Sequence, residues 1–284
     1  MRLVFRLGFT LLVLSNPCLG TEVILPGNDR VDYFTSMLTK ALSYTPDKQY
    51  RVGFIDYEVP KLRAFKLIAN NEGIDTIAAG ATNERQSLLR SVKIPLLKGL
   101  NGWRVPLVTE KNRDIFLQHK QWPKFKSLMA GQLLTWSDTK IIESNGINIL
   151  KGSSYTGLFT MLAKQRFEYF PRSVLEVEYE YEANKHLGIV IEPHILLHYP
   201  TAYYFYVHKN NLTLARDIEY GLERAIEDGS FDRIFHQYYG GVVDKIKRQD
   251  RRIYELHNPF LPKDVPLERK SLWLTMTKEG TSSP

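Results

Sequence analysis

Short apolar runs alternate with amphipathic helical patterns near the start of the sequence, and this rhythm constrains the fold more than any other feature. The runs at 23–25, 50–55 and 74–79 are bounded by turn residues, which is typical of buried strands. Residues 32–42 and 60–70 place apolar side chains at helical spacing between them. Strand, helix and strand in this order predict a parallel sheet with right-handed crossovers, and therefore an α/β fold.

A second unit repeats the pattern further along the chain. We expect strands at 132–136, 147–150, 168–170 and 203–207, the third of them stopped by Pro171. Helices are expected at 140–144, 155–164, 212–228 and 231–239. The rest, 241–284, is polar and punctuated by proline, so we expect it to pack along the surface. Its basic run at 245–252 is expected to form a solvated helix face.

Composition excludes several classes of protein. The 284 residues are 43% hydrophobic with a formal charge of +7, so the chain can bury a core and is not disordered. The single cysteine excludes a disulfide framework and a multi-cysteine metal site. A mild basic excess spread along the chain is weak support for nucleic-acid binding, and we expect no nucleic-acid partner.

The N-terminal residues read as a secretory signal. Arg2 and Arg6 precede the mainly apolar run 7–14, which is too short to span a bilayer, and small residues at 18 and 20 predict cleavage after Gly20. Cys18 could instead mark a lipoprotein anchor, but the residues before it are a poor approach to a lipidated cysteine. A chain exported without a remaining cysteine is expected in the periplasm of a Gram-negative bacterium.

Three segments carry a resemblance to a known family. The stretch Ile74–Arg85, the run Val92–Leu96 and the segment Ile226–Phe235 are similar in order and spacing to extracellular solute-binding proteins of family 3, the periplasmic receptors of polar amino-acid importers. The resemblance implies the two-lobed fold of type II periplasmic binding proteins, each lobe a mainly parallel sheet flanked by helices. Lobe 1 would comprise 21–107 and 208–240, lobe 2 would comprise 108–207, and 241–284 would form a C-terminal extension. The two hinge crossings are expected near 107–111 and 203–208.

The resemblance also implies ligand-binding residues in lobe 1. Thr82 and Arg85 match the family's T-x-x-R, whose arginine holds the ligand's α-carboxylate, and a planar guanidinium can grip a carboxylate with two hydrogen bonds. Both follow a predicted strand, where ligands sit in open α/β sheets. Gly80 stands where the family prefers a hydroxyl residue. The alternative is a helix-capping threonine with a surface arginine.

In lobe 2 the segment Ser137-Asp138-Thr139 falls where the family has a Gly-Thr-Thr loop that completes the carboxylate site at a helix start. Asp138 would place a negative charge in that cradle. It is therefore either an N-cap, which we favour slightly, or a contact for a cationic group of the ligand.

Further departures bear on the ligand. Where the family has an aspartate for the α-ammonium, this chain has Ser173 beside Arg172, and no acid follows until Glu176. The aromatic lid segment is shortened to residues 26–29. Two arginines facing one cleft would favour an anionic ligand.

We interpret the chain as a periplasmic solute-binding protein that captures a small polar or anionic ligand, an amino acid or carboxylate, and delivers it to an ABC transporter or sensor. A receptor-like protein that works through protein contacts is one alternative, and a lyase or dehydratase on the same fold is another. We expect a monomer and a non-enzyme, without a cofactor. His194 and His198 have the spacing of metal ligands, but the prolines around them argue against a helix, so we expect no metal.

Overall fold

The computed structural model describes residues 20–27, 32–46 and 48–275. The predicted signal lies outside these residues except for Gly20, and so do Asn28 and Asp29 of the shortened lid segment. Among the described residues, no helix is long and apolar enough to cross a membrane.

The described residues form a mixed α/β structure. The strands are Thr21–Leu25 (β1), Tyr50–Phe54 (β2), Thr76–Gly80 (β3), Arg90–Val92 (β4), Trp103–Thr109 (β5), Met129–Leu133 (β6), Asn148–Gly152 (β7), Phe170–Ser173 (β8), Ile189–Ile191 (β9), Ile195–His198 (β10), Tyr203–Val207 (β11) and Arg252–Glu255 (β12). The helices are Tyr33–Leu42 (α1), Lys61–Asn70 (α2), Asn83–Leu88 (α3), Ile115–Gln118 (α4), Trp122–Ser127 (α5), Ser137–Ser144 (α6), Tyr155–Ala163 (α7), Val177–Asn184 (α8), Leu212–Glu227 (α9) and Ser230–Arg248 (α10).

The first lobe is built on β1 to β4 and β11. Strands β1 and β2 pair in parallel, and β11 lies antiparallel between β3 and β4. The backbone N–H of Asp75 donates to the carbonyl of Ile24 at 2.9 Å, which joins β1 to the start of β3. The sheet is therefore mixed rather than mainly parallel, because β11 returns to this lobe from the opposite direction.

The second lobe is built on β5 to β10 and β12. Strands β6 and β7 are parallel, whereas β5 is antiparallel to β8, β9 and β10. A parallel bridge between Ala130 and Tyr169 joins β6 to the segment before β8. Strand β8 runs through Pro171, against our expectation that this proline would stop it. Pro171 lies opposite Pro106 of β5.

The chain passes between the lobes at 93–102 and 199–202, which we call the first and second crossing segments. Both segments lie before the crossings expected from the sequence, which were near 107–111 and 203–208. Leu107 pairs with Phe170 and Ile191 inside the second lobe, and Tyr203–Val207 is the central partner of β3 and β4 in the first. The apolar run 103–109 gave no sign of a boundary because it is buried along its whole length.

Helices α1 and α9 cover the first sheet. Asp32 caps α1 by accepting from the backbone N–H of Thr35 at 2.9 Å, which satisfies one of its unpaired N–H groups. The two helices approach so closely at Gly221 that a Cβ atom there would lie 1.9 Å from the carbonyl oxygen of Ala41. Only glycine permits this approach, which lets α9 pack directly on α1.

The C-terminal part is more ordered than its polar sequence predicts. Helix α10 continues nine residues beyond the predicted end at 239, through Gly240 and Gly241, and buries Val243 and Ile246. Burial of these side chains offsets the cost of about 1 kcal/mol for each helical glycine. The basic run is not wholly solvated, since Arg251 lies buried beside Glu192 with 3.6 Å between Nη1 and Oε2. Strand β12 then pairs in parallel with β10.

Candidate functional site

The end of β3 holds the three residues predicted for lobe 1. Gly80 is the last residue of the strand, and its carbonyl accepts a hydrogen bond from Nη1 of Arg85 at 2.6 Å. Thr82 is the N-cap of α3, where its hydroxyl accepts from the backbone N–H of Arg85 at 3.2 Å. The capping role that we gave as the alternative is therefore real, and it fixes the backbone from which Arg85 projects.

Arg85 is half-buried in a partly aromatic setting. Its guanidinium lies 5.2 Å from the ring centre of Phe65, and the hydroxyl of Tyr206 also donates to Gly80 at 3.4 Å. Burial raises the pKa of Tyr206 to about 12, although the charge of Arg85 opposes the shift. No carboxylate of the described residues forms an ion pair with Arg85. Its guanidinium is thus held by a backbone carbonyl and not by a carboxylate of the described part of the chain.

A second cation lies near the same strand end. Nζ of Lys61 donates to the hydroxyl of Tyr203 at 2.7 Å, and Tyr203, opposite Gly80 in the sheet, stacks on Phe34 with ring centres 5.3 Å apart. A Cβ atom on Gly80 would lie 3.9 Å from the Tyr203 ring. The edge of the first lobe therefore presents two cations beside an aromatic pair.

The predicted segment of lobe 2 forms the first turn of α6. Ser137 is exposed, and Thr139 is buried with its hydroxyl donating to the carbonyl of Leu133 at 2.7 Å. Asp138 is not the N-cap that we favoured, because that position belongs to Trp136. Asp138 instead lies inside the first turn, where a carboxylate is stabilised by the helix dipole.

Asp138 belongs to a network that the sequence analysis missed. Nη2 of Arg104 lies 2.8 Å from Oδ1 of Asp138, and the hydroxyl of Tyr199 donates to the same oxygen. Nε of Arg104 in turn donates to Tyr199 at 2.7 Å. Burial opposes the charge of Arg104, but attraction to Asp138 and Tyr199 raises its pKa above the ordinary value. The sequence feature that could have indicated this network is Arg104, the one charged residue in the mainly apolar run 103–109.

Arg172 is not a free ligand contact. Its side chain is 6% exposed, and its guanidinium donates to both carboxylate oxygens of Glu180, at 2.7 and 2.5 Å. Glu176 accepts from the same arginine at 3.0 Å, and the Trp136 ring centre lies 4.3 Å from Cζ. The argument from two arginines facing one cleft is therefore weakened, because Arg172 already has two carboxylates.

Tyr155 and Ser173 complete this cluster. The hydroxyl of Tyr155, which is 39% exposed, donates to Glu180 at 2.7 Å. Ser173 is buried opposite Arg104 in the sheet, and its hydroxyl accepts from the N–H of Leu175 at 3.3 Å. Ser173 thus stabilises the turn after β8, and Glu176 is the nearest acid to the position that the family fills with aspartate.

The histidines that we considered as metal ligands have other partners. Nε2 of His194 lies 2.7 Å from Asp114, and Nδ1 of His198 lies 2.6 Å from Glu255. Across the described ranges, no group of three or more histidine, cysteine or acidic residues is arranged to hold a metal ion.

Two cavities lie away from these residues. One, of about 190 Å³, lies between α10 and the second lobe, with Val105, Val177 and Ile246 in its wall. The other, of about 230 Å³, lies between β4 and α9 beside Arg90 and Leu212. Neither cavity is lined by a predicted site residue. The evidence for the predicted site is therefore the arrangement of the side chains described above, and not a cavity.

Comparison with known proteins identifies the fold. No protein-family model matches the chain, and no curated protein matches it in sequence. Among solved structures, the probable amino-acid ABC transporter extracellular-binding protein ytmK of Bacillus subtilis is 16% identical with a TM-score of 0.56, over 78% of this chain and 98% of that one. The L-cystine solute receptor of Neisseria gonorrhoeae, in an unliganded open conformation, is 16% identical with a TM-score of 0.52, over 78% and 93%.

A third similar structure has a link to catalysis. It is the ancestral amino-acid-binding protein AncCDT-1, a precursor of cyclohexadienyl dehydratase, with 12% identity and a TM-score of 0.50 over 78% of this chain and 95% of that one. At such low identities the likeness concerns the arrangement of helices and strands. On that arrangement, the chain has the two-lobed α/β fold of type II periplasmic binding proteins.

Proposed function

We propose that this protein is a periplasmic solute-binding protein that captures a small carboxylate-bearing solute, such as an amino acid, between its lobes and delivers it to an ABC transporter or sensor. The fold supports this proposal, because the similar structures include amino-acid-binding proteins. The observation that carries it is the charge of Arg85, fixed at the end of β3 without a carboxylate partner among the described residues.

Arg85 has the properties of a carboxylate contact. Its hydrogen bond to the Gly80 carbonyl uses only Nη1, so other N–H donors remain for a ligand. Lys61 adds a second positive charge near the same strand end. The first lobe would therefore bind the anionic end of the solute through Thr82 and Arg85, while the carbonyl of Gly80 positions the guanidinium.

The second lobe suits the cationic end of a zwitterion. The guanidinium groups of Arg104 and Arg172 are paired with three carboxylates, those of Asp138, Glu176 and Glu180, which leaves one negative charge in excess. Glu176 has the most exposed side chain of the three, at 57%, and Asp138 is 26% exposed. An ammonium group beside Glu176 and Asp138, with Ser137 and Thr139 framing the helix start, would match this excess. The preferred solute is thus an amino acid rather than a purely anionic molecule.

A thermal-shift screen tests the proposal. The library contains amino acids, dicarboxylates, tricarboxylates and small peptides, and Arg85→Ala is measured in parallel. A solute at a hundredfold excess over its dissociation constant stabilises the native state by about 2.7 kcal/mol, which raises the melting temperature by several degrees. Arg216→Ala is the matched control, because Arg216 also donates to a backbone carbonyl, that of Leu212, but lies on α9.

The outcomes separate the parts of the proposal. A shift that disappears in Arg85→Ala and persists in Arg216→Ala supports the solute-binding function and the carboxylate contact. A shift that persists in Arg85→Ala leaves the function standing and contradicts the site. No shift with any compound favours a receptor-like protein that works through protein contacts.

That second candidate has one observation in its favour. Asp138 already occupies the helix start with its own carboxylate and is paired with Arg104 and Tyr199. A lyase is less favoured, because Asp138 and Glu176, the two acids considered for proton transfer, are both engaged with arginines. We propose a monomer without catalytic activity, located in the periplasm.

A further inference from the structure

The C-terminal segment 256–274, which we call the tail, lies against both crossing segments. It follows β12 in the second lobe and ends beside Lys98 and Gly99, in the middle of the first crossing segment. In a two-lobed protein, closure concentrates its backbone changes in such connecting residues. Contacts between the tail and these residues therefore bear directly on how far the lobes can move.

The tail holds the second crossing segment through Asn258. Nδ2 of this residue, which is 9% exposed, donates to the carbonyl of Pro200 at 2.9 Å. Just before it, His257 and Asn145 of the second lobe exchange two hydrogen bonds of 2.8 Å. One end of the tail is thus fixed to the second lobe and to the segment that leaves it.

The tail holds the first crossing segment at several points. Asp264 forms an ion pair with Lys93 at 2.7 Å, and the hydrogen bond from Lys93 is the main reason that the pKa of Asp264 is lowered. The N–H of Leu274 donates to the carbonyl of Lys98 at 2.8 Å. The Trp273 ring covers Gly99, where φ is +76° and a Cβ atom would lie 2.9 Å from the ring. A positive φ favours glycine, so the site for this ring is built into the crossing segment.

The other end of the tail is anchored to the first lobe. Val265 is buried in the cluster that contains Ile77 and Tyr204. Arg269 forms two hydrogen bonds of 2.5 Å with the carboxylate of Glu223 on α9. The tail therefore adds a connection between the lobes that is anchored on each of them.

We propose that the tail is a brace that restricts rotation of the lobes about the crossing segments. A rotation that changes the backbone at Pro200 and at Lys98 or Gly99 must break the contacts of Asn258, Trp273 and Leu274 together. The brace thus holds one relative orientation of the lobes before any solute is present. This inference concerns the hinge itself and stands apart from the identity, or existence, of a solute.

The test is a distance measurement between spin labels without added solute. Leu62 on α2 and Tyr179 on α8 are 76% and 80% exposed and lie in different lobes, so each can be replaced by cysteine for labelling. The labelled protein begins at residue 21, after the predicted cleavage site, so it lacks Cys18, the only cysteine in the sequence. The protein that carries only the two labels, which we call the parent, should give one narrow distance distribution by pulsed electron spin resonance. Trp273→Ala and Asn258→Ala should each widen it or add a second distance.

Controls separate a loosened hinge from a loosened protein. Trp122→Ala removes a ring that packs on Phe125 and Tyr254 within the second lobe, and should leave the distribution unchanged. If Trp273→Ala does not unfold cooperatively, Asp264→Asn replaces it. Its control is Glu143→Gln, which removes an ion pair of similar exposure with Lys151.

A broad distribution in the parent would overturn the brace. The brace would also be overturned if the tail variants Trp273→Ala, Asn258→Ala or Asp264→Asn gave the same distance distributions as the control variants. Because no solute is added, these outcomes do not depend on the thermal-shift screen. The brace can fail while solute binding stands, and solute binding can fail while the brace stands.

Discussion

Two arginines predicted from the sequence as ligand contacts have opposite environments. Arg85, after β3, is half-buried and bonded to the Gly80 carbonyl, with no ion pair to a described carboxylate. Arg172, in β8, is buried and donates hydrogen bonds to both carboxylate oxygens of Glu180 and to one of Glu176. The same residue type therefore provides an available charge in one lobe and a structural ion pair in the other.

The difference shows that local sequence does not decide what an arginine does. A guanidinium beside a strand end keeps its full charge for a ligand when no carboxylate of the fold pairs with it. Arg172 has carboxylates because α8 places Glu176 and Glu180 four and eight residues after it. Arg85 follows Thr82 in a short helix whose only acid in the first turn, Glu84, is exposed and forms no ion pair with it. Four predictions test the environments of these arginines and of Arg104.

Arg172→Ala should lower the free energy of unfolding most. It leaves the carboxylate of Glu180, whose side chain is 3% exposed, buried without its partner, a loss of about 3–5 kcal/mol. Arg85→Ala should cost about 1 kcal/mol, because it removes one hydrogen bond to a carbonyl. Urea unfolding measures both. The double variant Arg172→Met/Glu180→Leu should recover much of the loss, and an equal loss in the double variant would contradict the buried-pair explanation.

Asp138→Ala should have the next largest effect. It removes the carboxylate that compensates Arg104, whose side chain is 10% exposed, and the expected loss is about 1–3 kcal/mol. Asp138→Asn should cost less, since its amide oxygen can still accept from Tyr199. Urea unfolding of both variants gives the comparison. Equal stability of Asp138→Ala and the parent would show that Arg104 does not depend on this network.

Thr82→Ala should reduce stability by about 1 kcal/mol, because it removes the N-cap of α3. Ser154→Ala is the control, since Ser154 caps α7 by accepting from Gly157 at 3.1 Å. The solute-induced thermal shift should fall less in Thr82→Ala than in Arg85→Ala. A complete loss of that shift in Thr82→Ala alone would instead assign the main ligand contact to the hydroxyl.

Tyr199→Phe should make stability less sensitive to alkaline pH. Burial raises the pKa of the Tyr199 hydroxyl above its ordinary value, so the native state keeps a proton that the unfolded chain loses above about pH 10. Stability that is present below this pH is therefore lost as the pH rises, by up to about 1.4 kcal/mol per pH unit for one proton. Urea unfolding between pH 8 and pH 11 measures the slope, and the exposed Tyr179→Phe should not change it.

Much of the fold could be predicted from local pattern. Helices α1 and α2 and strand β11 lie at the predicted positions, and the capping role of Thr82 was among the alternatives. These elements have clear apolar periodicity and turn residues at their ends. Strand β8 and the end of α10 were placed wrongly, because Pro171 and Gly241 normally interrupt regular structure. Tertiary packing overrides both signals here.

The candidate site was predictable only in part. Arg85 could be found because its neighbours in sequence carry the motif. The partners of Asp138 could not, because Arg104 and Tyr199 are 34 and 61 residues away from it. For the same reason the sequence predicted that the tail packs along the surface but not what it contacts, since Lys93 and Pro200 lie in distant parts of the chain.

The sequence by itself determined the α/β alternation, the caps of α1 and α3 and the position of an arginine after β3, because each depends on residues a few positions apart. Only the tertiary structure decided which arginine keeps an available charge, where the chain crosses between lobes and what the tail holds. Those properties depend on which carboxylates and carbonyls come within hydrogen-bonding distance, and the packing of distant segments sets that distance.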